Sequence, residues 1–272
     1  IRDPATNVGA PDYIVLESTY GNRLHENTDE AMEILAKVVK RARDTGGKII
    51  IPSFAIERTQ ELVYYFHLLF EQRKIPEIPI YVDSPMATNA TSIFQVHPEC
   101  YDEETHKAFL THHKNPFGFN SLRFTQSVEE SKHLNELEGP MIIISADGMC
   151  EAGRIVHHLY NNIEDPNTTI LLVGFMAENT LGRRLQNGEE EVKVIGEWKK
   201  VRAKIEQINA FSAHADYQET LDWLKEIDTS RLKKIFLVHG EKAAQKNLTK
   251  VLNENGFNDV EVISYGRTYI LD

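Results

Sequence analysis

Lys234-Ile235-Phe236-Leu237-Val238-His239-Gly240-Glu241 decides how this chain is read. The apolar run Ile235–Val238 reads as a buried strand, and a helix-like stretch follows Glu241. His239 therefore falls at a strand's C-terminal end, where α/β proteins keep metal ligands and catalytic groups. Upstream, Phe211-Ser212-Ala213-His214-Ala215-Asp216 offers a second histidine in a comparable turn. At the other end of the chain, Tyr13-Ile14-Val15-Leu16 runs straight into Glu17-Ser18-Thr19-Tyr20-Gly21. Two imidazoles and a carboxylate at such positions point to metal-assisted hydrolysis.

The sequence has 272 residues, of which 41% are hydrophobic and 26% charged, a balance typical of a globular protein with a real core. No apolar run approaches the ~20 residues that cross a bilayer, and no membrane association is expected. Cys100 and Cys150 have no Cys-x-x-Cys partner and fit a reducing, cytoplasmic setting. A net charge of −11 argues against a general polyanion binder, although a local cationic groove can still carry phosphate contacts.

The middle of the chain alternates helical and strand patterns. Asn27 and Thr28 open a helix with apolar face Ala31, Ile34, Leu35, Val38 and Ala42, closed by Gly46-Gly47. Lys48–Ile51, Ile80–Val82, Met141–Ile144 and Thr169–Val173 read as strands, with helices predicted from about Glu57 to Arg73 and from Gly153 to Asn162. Continuous Ile/Val/Leu strands separated by helices predict a parallel sheet covered on both faces. Asp102–Phe124 lacks periodicity and is read as irregular or lid-like. Further on, Ala203–Ile208 alternates as a strand, Asp216–Glu226 and Glu241–Asn255 read as helices, and Val260–Ile263 and Tyr269–Leu271 as closing strands. Asp216 reads as the cap of its helix.

Taken together, Glu17–Gly21, Phe211–Asp216 and Leu237–Glu241 resemble the β-CASP branch of the metallo-β-lactamase superfamily. That branch contains zinc-dependent nucleases, including RNase J-like enzymes and the endonuclease of pre-mRNA 3′ processing. Pro52–Leu62, Val82–Ala87, Gly148–Arg154 and Gly174–Arg184 match in the expected order, so the resemblance spans nearly the whole chain. It implies an α/β architecture: the C-terminal half of a metallo-β-lactamase αββα sandwich (residues 1–25 and 199–272) with a β-CASP domain inserted at 26–198. The family's main metal motif, His-x-His-x-Asp-His, occurs nowhere in the sequence. The expectation is a C-terminal fragment of a longer enzyme, inactive or nearly so alone.

The resemblance further implies roles for single residues. His239 would ligate zinc, two ions being expected in the complete enzyme, and His at this position favours RNA over DNA as substrate. His214, held by Glu17, would be the catalytic acid that protonates the leaving oxygen. Ser212 and Ser145 are candidates for phosphate contacts at turns, although Asp147 stands where a small neutral residue is expected. Arg154, Arg183 and Arg184 are candidates for an RNA groove, with helix-face roles open for the last two. His112-His113 and His157-His158 are read as structural, since adjacent histidines on a helix point apart. The function expected is hydrolysis of single-stranded RNA, with exo- and endonuclease both open and a homodimer possible. The alternative is a non-catalytic RNA-binding or scaffold subunit on the same fold.

Overall fold

The first strand, β1 (Tyr13–Glu17), finds its partner near the other end of the sequence. Between them the chain makes α1 (Thr28–Thr45), β2 (Lys48–Pro52), α2 (Arg58–Glu71), β3 (Ile80–Asp83), α3 (Pro85–Val96) and β4 (Leu122–Phe124). It continues through α4 (Val128–Glu136), β5 (Met141–Ser145), α5 (Ile155–Asn162), β6 (Thr169–Val173), α6 (Leu181–Gln186), β7 (Glu191–Val194), β8 (Glu197–Lys200) and β9 (Lys204–Ile208). Last come α7 (Tyr217–Glu226), β10 (Lys234–Val238), α8 (Lys242–Glu254) and β11 (Val260–Val262). These elements belong to a computed structural model that describes residues 5–101, 103 and 117–272. They fall into two units, a larger one of Glu26–Ser212 and a smaller one joining residues 5–25 with Ala213–Asp272.

In the larger unit β4-β3-β5-β2-β6-β9 form a six-stranded sheet, every pair parallel. Successive side chains of a strand point to opposite faces, so the isoleucine runs serve two cores at once. Ile49, Ile51, Ile142 and Ile144 pack with Leu35, Leu62 and Phe66 of α1 and α2. Ile50 and Ile143 face the other way, onto Ile155 and Leu159 of α5 and Leu185 of α6. Each such side chain, removed from water, contributes about 1.5–3 kcal/mol, which explains why strands apolar at every position form the centre of the sheet. Asn27 caps α1 by accepting from the Asp29 amide, and Gly46 ends it in the left-handed conformation at φ 70°, which a Cβ would strain.

Three strand readings change. Leu122–Phe124, inside the stretch read as irregular, is β4, an edge strand paired with β3. Three residues are too few to show a period. Asp102 and residues 104–116, with His112 and His113, lie outside the described residues. Ala203–Ile208, assigned to the C-terminal piece, contains β9, which pairs with β6 from Thr169↔Lys204 to Val173↔Ile208. The larger unit runs to Ser212. Alternation marks a half-exposed strand but does not say which sheet it joins. Tyr269–Leu271, read as a strand, is irregular chain.

The smaller unit has a three-stranded parallel sheet in the order β1-β10-β11. Ile14, Ile235 and Leu237 pack against Leu221 and Leu224 of α7 and Leu248 and Leu252 of α8.

Candidate active site

The parallel register of β1 and β10 pairs Glu17 with Val238, so both strands release their next residues at the same end. The turn beyond is tied crosswise. Ser18 Oγ donates to the Val238 carbonyl at 2.7 Å, and the His239 carbonyl accepts from the Ser18 amide at 3.3 Å and the Thr19 hydroxyl at 2.9 Å. Gly240 passes so close that a Cβ there would lie 2.5 Å from Ser18 Oγ and 2.6 Å from Ser18 O. Under these restraints His239 takes φ 48°, a conformation costing a non-glycine residue on the order of 1–3 kcal/mol. Its imidazole is left 69% exposed.

Thr19 Oγ1 stands 3.2 Å from His239 Nδ1. The hydroxyl has one proton, and it goes to the His239 carbonyl. With that proton on the carbonyl, Nδ1 can donate to Thr19 and leave the Nε2 lone pair open, the arrangement a metal-binding histidine needs.

His214 approaches from the segment before α7. Its Nδ1 lies 3.4 Å from Glu17 Oε1, and its ring centre is 5.4 Å from that of His239. Glu17 Oε2 accepts the Thr19 amide at 2.7 Å. Burial works against a charged Glu17, but the hydrogen bonds from His214 and Thr19 outweigh it and hold the carboxyl below its usual range. Glu17, His214 and His239 offer one carboxylate oxygen and two imidazole nitrogens, all within 4.8 Å of one another. That donor set suits zinc, which takes imidazole nitrogen and carboxylate oxygen. All three residues belong to the smaller unit.

Asp216 follows as the cap of α7. Its Oδ1 accepts the amides of Gln218 and Glu219 at 2.8 and 2.9 Å, and Glu219 returns the bond to the Asp216 amide at 2.9 Å. The helix start expected beside Ser212 thus lies at Tyr217, with two of its amides already taken. Asp216, His25 and Glu219 form a second group of ligand-type atoms within 4.8 Å. Sequence reading missed His25, a lone histidine in a polar connection with no periodicity to mark it. Its Nε2 donates to the His214 carbonyl at 2.8 Å.

The groups singled out in the larger unit have partners within that unit. Ser145 is buried, its hydroxyl donating to the Asp83 carbonyl at 2.9 Å. Asp147 wraps the following turn around itself, accepting the amides of Met149 at 2.7 Å, Ala152 at 2.9 Å and Glu151 at 3.3 Å. The donors a phosphate would need in this turn are held by that carboxylate. Arg154, read as an RNA contact, reaches Asp83 Oδ1 at 2.7 Å and the Gln126 carbonyl at 2.7 Å. Arg183 donates to the Met176 carbonyl at 2.7 Å and lies over Phe175. Arg184 bonds Glu189 through Nε and a terminal nitrogen, at 2.9 and 2.7 Å, and lies over Trp198. His158 is a core histidine, its Nε2 2.6 Å from Asp83 and its Nδ1 3.0 Å from Asn135 Oδ1.

Two family models match the chain. Residues 59–185 match the Beta-Casp domain model, and residues 198–263 match the model of a Zn-dependent metallo-hydrolase RNA specificity domain. The chain is 34% identical to ribonuclease TTHA0252 of Thermus thermophilus over 94% of its own length and 57% of that protein's. It is 30% identical to transcription termination factor FttA of Methanosarcina mazei, over 89% of this chain and 39% of that one. Its identity to an RNase J-like protein of Methanocaldococcus jannaschii is also 30%, over 87% of this chain and 54% of the relative. The chain thus spans from about two-fifths to under three-fifths of the length of these relatives.

Proposed function

We propose, for a chain that belongs to the β-CASP branch of the metallo-β-lactamase superfamily, that the protein is a zinc-dependent ribonuclease acting on single-stranded RNA. The observation that carries this reading is the meeting of Glu17, His214 and His239 within 4.8 Å. His239 would hold zinc through Nε2, and the ion when bound supplies Lewis acidity to a phosphodiester. Glu17 holds the His214 ring through Nδ1 at 3.4 Å. The ring in its doubly protonated, imidazolium form would give its Nε2 proton to the leaving oxygen, returning to the neutral form with Nδ1–H still on Glu17. The family's His-x-His-x-Asp-His motif, absent from these 272 residues, would complete the ligand set, and the chain by itself would be inactive or nearly so. A second zinc, a homodimer and a cytoplasmic location belong to the same proposal, the last supported by two cysteines in the thiol form.

The deciding experiment is cleavage of labelled single-stranded RNA beside matched DNA by the natural full-length protein and its His239→Ala form. RNA cleavage that the substitution abolishes supports the proposal. No cleavage by the unsubstituted protein would sink it in favour of a non-catalytic RNA-binding or scaffold role.

A further inference from the structure

The connection leaving β1 meets His214 twice. Glu17, at its start, addresses the imidazole through Nδ1 at 3.4 Å. His25, at its end, addresses the backbone, donating from Nε2 to the His214 carbonyl at 2.8 Å. We propose that His25 is a positioning residue for His214, fixing the peptide plane from which the catalytic ring projects. The proposal rests on the reading of His214 as proton donor.

His214 has need of such a hold. It lies in a non-helical stretch between Ala213 and Ala215, whose methyl groups anchor nothing by hydrogen bonding. Its side chain is 36% exposed, so packing alone does not fix the ring. Rotation about the bonds flanking its Cα would swing Nε2 away from a substrate, and a misplacement of about 1 Å costs roughly a hundredfold in rate.

His25 is itself well held. Its amide donates to Asp216 Oδ2 at 2.9 Å; the same Nε2 that donates to the His214 carbonyl at 2.8 Å also lies 3.3 Å from Glu219 Oε2, the longer of its two contacts. Its ring centre is 4.9 Å from that of Tyr20. Tyr20 is fully buried, and its ring also stacks at 6.5 Å on that of His214. Asp216 thus joins the two parts: one oxygen caps α7 while the other secures His25. The helix start, the His25 ring and the His214 carbonyl are thus joined by one run of hydrogen bonds.

The test uses the natural full-length protein with two substitutions. His25→Phe keeps a ring against Tyr20 and removes the donor. His25→Gln returns an amide N–H near the position of Nε2. Two properties are read: kcat and KM on single-stranded RNA, and the tautomer of the His214 ring by 15N-histidine NMR, which needs no activity. His25→Phe should lower kcat roughly ten- to a hundredfold, with KM within about twofold, and turn the His214 signal from one tautomer into a mixture. His25→Gln should regain most of both. A wild-type kcat and His214 signal in His25→Phe would overturn the proposal, as would equal loss in both variants, since a restored donor would then restore nothing. Should His25→Phe fail to fold, the Gln form decides alone: a wild-type His214 signal supports the proposal and a mixture overturns it. If the unsubstituted protein cleaves no RNA, the ribonuclease reading falls, while the NMR comparison still judges the hold on His214.

Discussion

The Asp83 carboxylate lies 2.6 Å from His158 Nε2, with both side chains wholly buried. Asp83 also accepts from Thr125, from Ser131 at 2.5 Å and from Arg154 at 2.7 Å. Burial alone would push the carboxyl up, but the donors, His158 foremost, bring it down to about 2. A carboxyl depressed in the folded state stabilises the fold fully above the unfolded value of about 3.9. That stability is lost as pH falls from there towards 2. Acid titration of unfolding free energy should show a loss on the order of 2 kcal/mol across this window, and Asp83→Asn should flatten it. At neutral pH the same substitution should cost roughly 3–5 kcal/mol, read as a lower urea midpoint.

Glu17 and His214 should act as a pair in the natural protein. Since Glu17 is held below the usual carboxylate range, it stays charged throughout neutral pH and keeps its grip on the ring. His214→Ala should lower turnover by about 10²–10⁴-fold, in line with the loss of a general acid. Glu17→Gln should lower it less, and the double substitution should cost little more than His214→Ala alone. Fully multiplying effects would show that the two residues work separately.

Metal content separates His214 from His239. Elemental analysis of the natural full-length protein should find zinc diminished in His239→Ala and retained in His214→Ala. Zinc lost from both would move His214 from proton donor to ligand, a change its 5.4 Å ring separation from His239 permits.

Asp147 should prove structural. Removing its carboxylate in Asp147→Ala leaves the amides of Met149, Glu151 and Ala152 without their acceptor, at a cost of about 1–3 kcal/mol. The expected outcome is a lower Tm, with RNA affinity unchanged or raised once an anion leaves the turn. Reduced RNA affinity at unchanged Tm would instead make Asp147 a substrate contact.

Much of the fold was legible because its signals are local. Ile49–Ile51 and Ile142–Ile144 are apolar at every position, and only a strand buried on both faces uses such a run. Asn27, Gly46 and Asp216 announce helix ends through short-range hydrogen bonding and backbone conformation. The ends of β1 and β10 were legible as strand ends for the same reason. What the sequence withheld depends on partners distant in the chain. Nothing near Arg154 predicts its bond to Asp83, and nothing near His25 predicts its bond to the His214 carbonyl. The Glu17–His214 contact came from family resemblance, not from spacing. An alternating strand such as β9 shows its two faces but not its neighbours.

The pairing of β1 with β10 also sets an order of assembly. Thr19 and His239 bond across 220 residues of chain, whereas β2, β3 and β5 join within less than half that span. Closing a long loop is entropically costly and slow unless what lies between has already become compact. On the ribosome, Glu17 emerges more than two hundred residues before the β10 strand it lies against. The parallel sheet of the larger unit can form in the meantime and draw the two ends together. Glu17, His214 and His239 cannot meet before β10 has been made, and a chain interrupted before β10 carries no such cluster.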